Sequence, residues 1–343
     1  MVAGDESRMP RLRTPLARRT MLQALASTAM LTPAMAAVAW REWTLFSSQP
    51  RSDPTAMATV ARLAEEMPRR SAQELYVEVK AAGSLPIRST TVTAAVADGK
   101  VQMGDDIYFI AALPAAGSMR LPGLIVSDDN LRDALPIQKA LLDTLFAKHK
   151  AMLLGYYVTP PQVIFSVRQV AGIDDLRGMV IRTTSQDQVE AVHRLGALAM
   201  TMVADDVPAA LEAGTLHGVF GTAVNAGKVW PGRLAFGCRI TPVRGDGVIL
   251  ANRAALAALP KPLAEAVVTF GADLAAALTR DLAAAEATAM AELISGGFKM
   301  AQPRPDDLIA AARRLTPYWE AITSARGKYA SDTLAALRLA LDR

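Results

Sequence analysis

An arginine that ends a short strand, followed by three hydroxyl residues and a helix start, is the arrangement in this chain with the clearest chemical use. Ile173-Asp174-Asp175-Leu176-Arg177-Gly178-Met179-Val180-Ile181-Arg182 reads as one helical turn, a glycine turn and a buried strand ending in a guanidinium. Thr183, Thr184 and Ser185 follow. Ser185 is placed to cap a helix with Val189, Val192 and Leu195 on its inner face and Gly196 closing it. An always-charged planar fork beside free helix N-terminal amides suits a carboxylate. A surface arginine paired with one of the nearby aspartates accounts for the same residues equally well.

Other chemistries lack their residues. The single Cys238 excludes a disulfide framework and a cysteine metal site, and His149, His193 and His217 have no ligand spacing, so no metal is expected. Gly221 to Lys228 resembles a phosphate loop, but five residues separate its glycines and Val229 stands where Ser or Thr is required. Gly245-Asp246-Gly247 lacks the third glycine of a dinucleotide fingerprint, and no G-x-S-x-G elbow occurs. The Asp pairs beginning at Asp128, Asp174, Asp205 and Asp306 begin or flank helices, where carboxylates suit the helix dipole. No cofactor is expected, and no nucleophile–base arrangement marks an enzyme.

The elements that must position Arg182 alternate strand-like runs with Ala-rich helices, which argues an α/β fold. Trp43–Phe46, Leu75–Val79, Val163–Val167 and Met179–Ile181 read as strands; Thr55–Met67 and Thr91–Asp98 read as helices, the latter stopped by Gly99. Leu256–Ile294 is a long helical region broken near its start by Pro260 and Pro262, long enough to bridge two lobes. Ala94–Val101 echoes Ala209–Leu216, each a helix, a glycine stop and a short strand. Chance similarity in an Ala-rich chain explains the echo, as do two lobes of related design facing a shared cleft.

The N-terminus reads as an address. Arg8, Arg11, Arg13, Arg18 and Arg19 precede an uncharged run from Thr20 to Ala39, which Gln23, Ser27, Thr28, Thr32 and Pro33 make too polar for a membrane span. Ala34-Met35-Ala36 and Ala37-Val38-Ala39 both fit a small-residue cleavage site, so residues 1–39 are expected to be an export signal and the protein periplasmic. Arg18-Arg19 resembles a twin-arginine signal, with Ala17 and Met21 departing from the usual pattern; the general secretory route is the alternative. The net charge of +4 from 37 basic and 33 acidic residues falls to about +1 without that segment, which holds five arginines and two acidic residues. A nucleic-acid partner is not expected on that balance.

Gly178–Arg182, Leu195-Gly196-Ala197 and Asp206–Gly214 together resemble the solute-binding proteins of tripartite ATP-independent periplasmic (TRAP) transporters. The likeness extends from about Phe46 to Tyr318, with Gly99–Gly104 matching the family's first-lobe turn and Ser166–Val170 its crossover strand. It implies a two-lobed periplasmic binding protein of α/β class (type II-like), a hinge cleft and a long helix spanning both lobes. The expected lobes are 40–160 with 248–288, and 161–247 with 289–343. The resemblance implies that Arg182 pairs with the carboxylate of a small organic acid, which membrane subunits of a TRAP transporter then receive, and the receptor is expected to act as a monomer.

Further contacts are expected from Ser185, from Gly221 and Thr222 with Phe220 as a less polar wall, and from Ser48, Asp106 and Tyr108 in the first lobe. Arg168 is a weaker candidate, better suited to buttress the strand. His217 is expected to be structural and Trp230 to be pocket wall or core. Pro160-Pro161-Gln162 stands where some members carry a second carboxylate-binding arginine, so a second anionic clamp is not expected. A binding protein for signalling or amino-acid uptake is the alternative; a periplasmic hydrolase is disfavoured.

Overall fold

In a computed structural model of the protein, which describes residues 40–49 and 54–342, two sheets divide the strands between them. The export signal expected at residues 1–39 lies outside the described residues. The strands are β1 (Arg41–Ser47), β2 (Leu75–Ala81), β3 (Met103–Asp106), β4 (Ala151–Val158), β5 (Gln162–Ser166), β6 (Val180–Thr183), β7 (Leu198–Thr201), β8 (Gly218–Gly221), β9 (Phe236–Val243), β10 (Asp246–Asn252) and β11 (Lys299–Ala301). The helices are α1 (Pro54–Ala64), α2 (Met67–Arg70), α3 (Val92–Ala97), α4 (Asp128–Phe146), α5 (Gln186–Arg194), α6 (Val207–Glu212), α7 (Arg253–Ala257), α8 (Lys261–Ser295), α9 (Pro305–Arg326) and α10 (Lys328–Leu341).

The first sheet runs β2-β1-β3-β10-β4 and the second β11-β9-β5-β8-β6-β7. The chain passes between them three times: between β4 and β5 through Thr159-Pro160-Pro161, back between β9 and β10 through Arg244-Gly245, and again between β10 and β11 by way of α7 and α8. In each sheet the helix–glycine–strand echo delivers a parallel strand: α3 and Gly99 (φ +72°) lead to β3, while α6 and Gly214 (φ +68°) lead to β8. The parallel strands β1, β3, β6 and β8 therefore end on the side where their successors begin to line a common space, as open α/β sheets require.

Helix α8 is the third link. Among described helices it alone is long and apolar enough to cross a membrane, yet Leu263, Val267, Phe270, Leu274, Leu278 and Leu282 are buried in the first sheet's core with Trp43, Leu45 and Ile249. It lies hard against β4, where a Cβ on Gly155 would stand 2.5 Å from the Gly271 carbonyl oxygen. Further along, Glu286 accepts the Ala223 and Val224 amides of the second lobe at 2.7 and 3.1 Å, so one rigid rod grips both sheets.

The C-terminus departs from the expected division, which gave 289–343 to the second lobe. Leu334, Leu337 and Leu341 of α10 pack with Met119, Leu121, Leu124 and Ala134 beside the first sheet, while Leu315 and Trp319 of α9 join the same apolar cluster as Ala191 of α5. The physical reason is that α10 has a one-sided apolar stripe and α4 offers the open apolar face that covers it.

Candidate functional site

Between the sheets lies a cleft of about 680 Å³. The first lobe contributes Gln49 after β1, Ile107 and Tyr108 after β3, and Asp246 at the start of β10. The second contributes Gln162 at the start of β5, Thr184 and Ser185 after β6, Thr222 after β8 and Val243 at the end of β9. Thr159, Pro160, Arg244 and Gly245 form its hinge side, and Glu286 looks in from α8.

The β6–α5 junction folds as its sequence requires. Ile173–Leu176 forms one 3-10 turn, Gly178 takes φ +70°, β6 follows, and the Ser185 hydroxyl caps α5 by accepting from the Gln188 amide at 3.3 Å. Ile181 packs with Val192 and Leu195 on one face of the sheet, so Arg182 faces the other. Its Cζ lies 5.6 Å from the Trp230 ring centroid, and its Nε donates to the Met202 carbonyl at 3.1 Å. The residue is 9% exposed and burial lowers its pKa below the usual arginine value, with no described carboxylate in salt-bridge range. Arg182 itself stops short of the cleft surface, whereas Thr184 and Ser185 reach it.

Of the other expected contacts, Tyr108 and Thr222 line the cleft. Ser48 and Asp106 do not: Ser48 accepts from the Ile107 amide, and Asp106 accepts from Thr93 and from the Tyr108 amide, so both shape the turn that presents Tyr108. Phe220 is a correction. It is 1% exposed and packs with Ile164, Ile181, Cys238 and Ala311 in the second lobe's core, because β8 alternates and sends that side chain to the face covered by α5 and α9. Gly221 also stays off the surface and leaves room for Trp230, whose ring would sit 3.0 Å from an added Cβ. Trp230 is core, with Nε1 donating to the Ala204 carbonyl. Arg168 donates to the Asp175 carbonyl as a buttress, and His217 accepts from the Val180 amide through Nδ1.

The residues that sequence reading passed over are long-range pairs. Arg120 donates to Asp246 at 2.5 Å and to the Ile107 and Asp246 carbonyls at 2.7 Å, and Tyr156 donates to the other oxygen of Asp246 at 2.9 Å. Arg326 holds both oxygens of Asp187 at 3.1 Å, and Tyr318 donates to the same carboxylate. Gln188 donates to Gln162 at 2.6 Å and accepts from Thr184, so a neutral amide pair fills the place where a second arginine was sought. Arg244 is 8% exposed, donates to Asp128 at 2.5 Å, and has a buried Nε without a hydrogen-bond partner.

Under the cleft floor in the first lobe, Asp105 is fully buried and accepts from Ser47 at 2.7 Å and Tyr157 at 2.5 Å, while Gln49 donates to Tyr157 at 2.6 Å. Desolvation pushes its carboxyl up to about 6 against the pull of those donors. Among the described residues no three His, Cys, Asp or Glu side chains gather as a metal site.

Two α/β lobes linked by two crossing strands and a shared helix, with their strand ends opening on one cleft, define a two-lobed periplasmic binding protein. The family model described as bacterial extracellular solute-binding protein, family 7 (DctP) matches residues 46–325, and the chain belongs to that family, the solute-binding proteins of TRAP transporters. A search of the curated proteins returns no match. Among solved structures, DctP7 of Bordetella pertussis, an extracytoplasmic solute receptor binding pyroglutamic acid, is 19% identical with a TM-score of 0.72, covering 87% of this chain and 99% of that one. A TRAP periplasmic solute-binding protein from Desulfovibrio salexigens has a TM-score of 0.76 at 18% identity, covering 88% and 95%. DctPAm of Advenella mimigardefordensis, a sugar acid binding protein in complex with galactonate, has a TM-score of 0.70 at 20% identity, covering 88% and 99%. At these identities the likeness establishes the shared fold.

Proposed function

We propose that this protein captures a small organic acid in the interlobe cleft through Arg182 and passes it to the membrane subunits of a TRAP transporter. The observation that carries this reading is a desolvated guanidinium with no described counter-ion, two residues before the cleft-lining Thr184. Trp230 and the Met202 carbonyl hold one edge of that fork and leave its terminal nitrogens for a bidentate carboxylate. Closure of the lobes around the ligand excludes water and strengthens the pair as the local dielectric falls. The solved relatives that bind pyroglutamate and galactonate, both organic acids, support the same ligand class here. With the charged N-terminal segment read as an export signal, the receptor works in the periplasm.

Mass spectrometry of ligand retained on the purified protein, followed by a thermal-shift screen of organic acids, tests the reading, since a ligand that binds only the folded state raises the melting temperature. Arg182→Ala leaves the ligand's carboxylate desolvated and unpaired, a loss of about 2–5 kcal/mol that removes measurable binding. Unchanged calorimetric affinity in that variant overturns the reading.

A further inference from the structure

We propose that Arg326 is a positioning residue that masks Asp187, so that the end of α5 facing the cleft presents no net negative charge to an incoming anion. This rests on the reading of the cleft as an acid-binding site. Among the described residues three carboxylates line the cleft, those of Asp187, Asp246 and Glu286. An anion entering that space meets like charge unless each is answered from within the protein. Asp246 is held by Arg120 and Tyr156, and Glu286 accepts the Ala223 and Val224 amides in the field of Arg239. Asp187 is the closest of the three in sequence to the anchor proposed above. It sits in the first turn of α5, two residues after the capping Ser185 and five after Arg182. A carboxylate there suits the helix dipole, yet it draws on the same positive potential that a ligand carboxylate would use.

The geometry makes Arg326 a mask rather than a ligand contact. Its Nη2 reaches both Asp187 oxygens at 3.1 Å, and its Nη1 donates to the Gly117 carbonyl at 3.4 Å. Both terminal nitrogens are therefore engaged. Tyr318 also donates to Asp187, but a neutral hydroxyl leaves the carboxylate charge in place, and only the guanidinium cancels it. The two charged side chains are 15% and 12% exposed, so water screens the pair only partly. Gly117 lies in the 3-10 segment Pro114–Arg120, and a Cβ there would stand 3.0 Å from the Arg326 Nη1, so the guanidinium is seated in a fitted slot. Arg326 is the last residue of α9, and Gly327 (φ +99°) turns the chain into α10 directly behind it.

Calorimetry with lactate, pyruvate and benzoate on the wild type, Arg326→Gln, Arg326→Lys and the double variant Arg326→Gln/Asp187→Asn tests the mask. Arg326→Gln is expected to weaken the acid that the wild type binds by about tenfold or more, because an uncancelled carboxylate then faces the cleft. Removing that carboxylate as well returns the double variant to within about threefold of the wild type, and Arg326→Lys, which keeps the charge, stays within the same range. The deficit of Arg326→Gln relative to the wild type should shrink between about 0.05 M and about 0.5 M salt, as like-charge repulsion is screened. A loss that persists in the double variant and ignores salt overturns the inference, since it makes Arg326 a direct contact or a prop of the fold. Should Arg326→Gln not fold, the double variant carries the test, and loss of binding there overturns the inference too. Arg182-dependent binding that Arg326→Gln leaves unchanged removes the mask alone. A wild type that binds none of the three acids removes it together with the acid-binding reading.

Discussion

The Thr159 amide donates to the Gly245 carbonyl at 2.9 Å, which ties two of the segments that cross between the sheets to each other as well as to both lobes. The contact is tight on the side-chain side too: a Cβ on Gly245 would stand 2.4 Å from Thr159 Oγ1. Lobe motion therefore bends one paired hinge rather than two independent strands.

Gly245→Ala is expected to destabilise the protein by about 1–3 kcal/mol through overpacking against a stiff β-branched neighbour. Adding Thr159→Ala removes the hydroxyl and leaves only an ordinary contact at 3.6 Å to the Thr159 Cβ. Denaturation of both single variants and the double should give clear non-additivity, with the double recovering most of the loss. Additive losses would count against the hinge contact.

Glu286 fixes the helix that spans the lobes to the loop that carries Thr222. Its two oxygens accept the Ala223 and Val224 amides, and burial raises its pKa despite those bonds. Glu286→Ala leaves two amides without their charged acceptor, and a loss of about 2–4 kcal/mol in unfolding free energy is expected. Hydrogen exchange should show the loss concentrated at Ala223 and Val224, with β4 and α8 near Gly271 keeping their protection.

Much of this fold was legible because its signals are local. Gly99, Gly178, Gly196 and Gly214 all take positive φ where the sequence placed stops, Ser185 caps α5, and α8 starts at Lys261, with Pro260 before it and Pro262 in its first turn. The cleft was less legible because its walls are built from partners more than a hundred residues apart, Arg120 with Asp246 and Arg244 with Asp128. No spacing rule links such pairs. Phe220 misled for another reason: Gly218–Gly221 is buried on both faces, so the strand carries no polar alternation to say which side meets solvent. Arg244 stood next to the glycines of a failed nucleotide motif, and only the fold brings it to the hinge side of the cleft.

Asp105 predicts a pH dependence whose sign is set by a raised native pKa. Its carboxyl titrates at about 6 in the fold against about 3.9 in the unfolded chain, so the native state holds the proton more tightly. The stabilisation is complete below about pH 4 and is lost as pH rises through about 6, a change on the order of 2–3 kcal/mol. Urea denaturation of the wild type should lose that amount between about pH 4 and about pH 7 relative to Asp105→Asn, whose amide does not titrate. Parallel curves for the two proteins would exclude Asp105 as the titrating group.

Trp230 is buried outside the cleft lining, yet it should govern affinity. Its indole lies under Arg182, with Cζ 5.6 Å from the ring centroid, and is itself pinned by Nε1 donating to Ala204 at 3.1 Å. A desolvated cation over an indole face gains about 2 kcal/mol, enough to choose one posture for the guanidinium before ligand arrives. Trp230→Phe keeps a ring face and should cost affinity less than about tenfold, alongside about 1 kcal/mol of stability from the lost hydrogen bond. Trp230→Leu removes the face, and affinity for the acid should fall about 30-fold as Arg182 loses its preset orientation. Calorimetry on the two folded variants separates these outcomes: equal affinities for Phe and Leu would mean that the ring fills space without orienting the arginine.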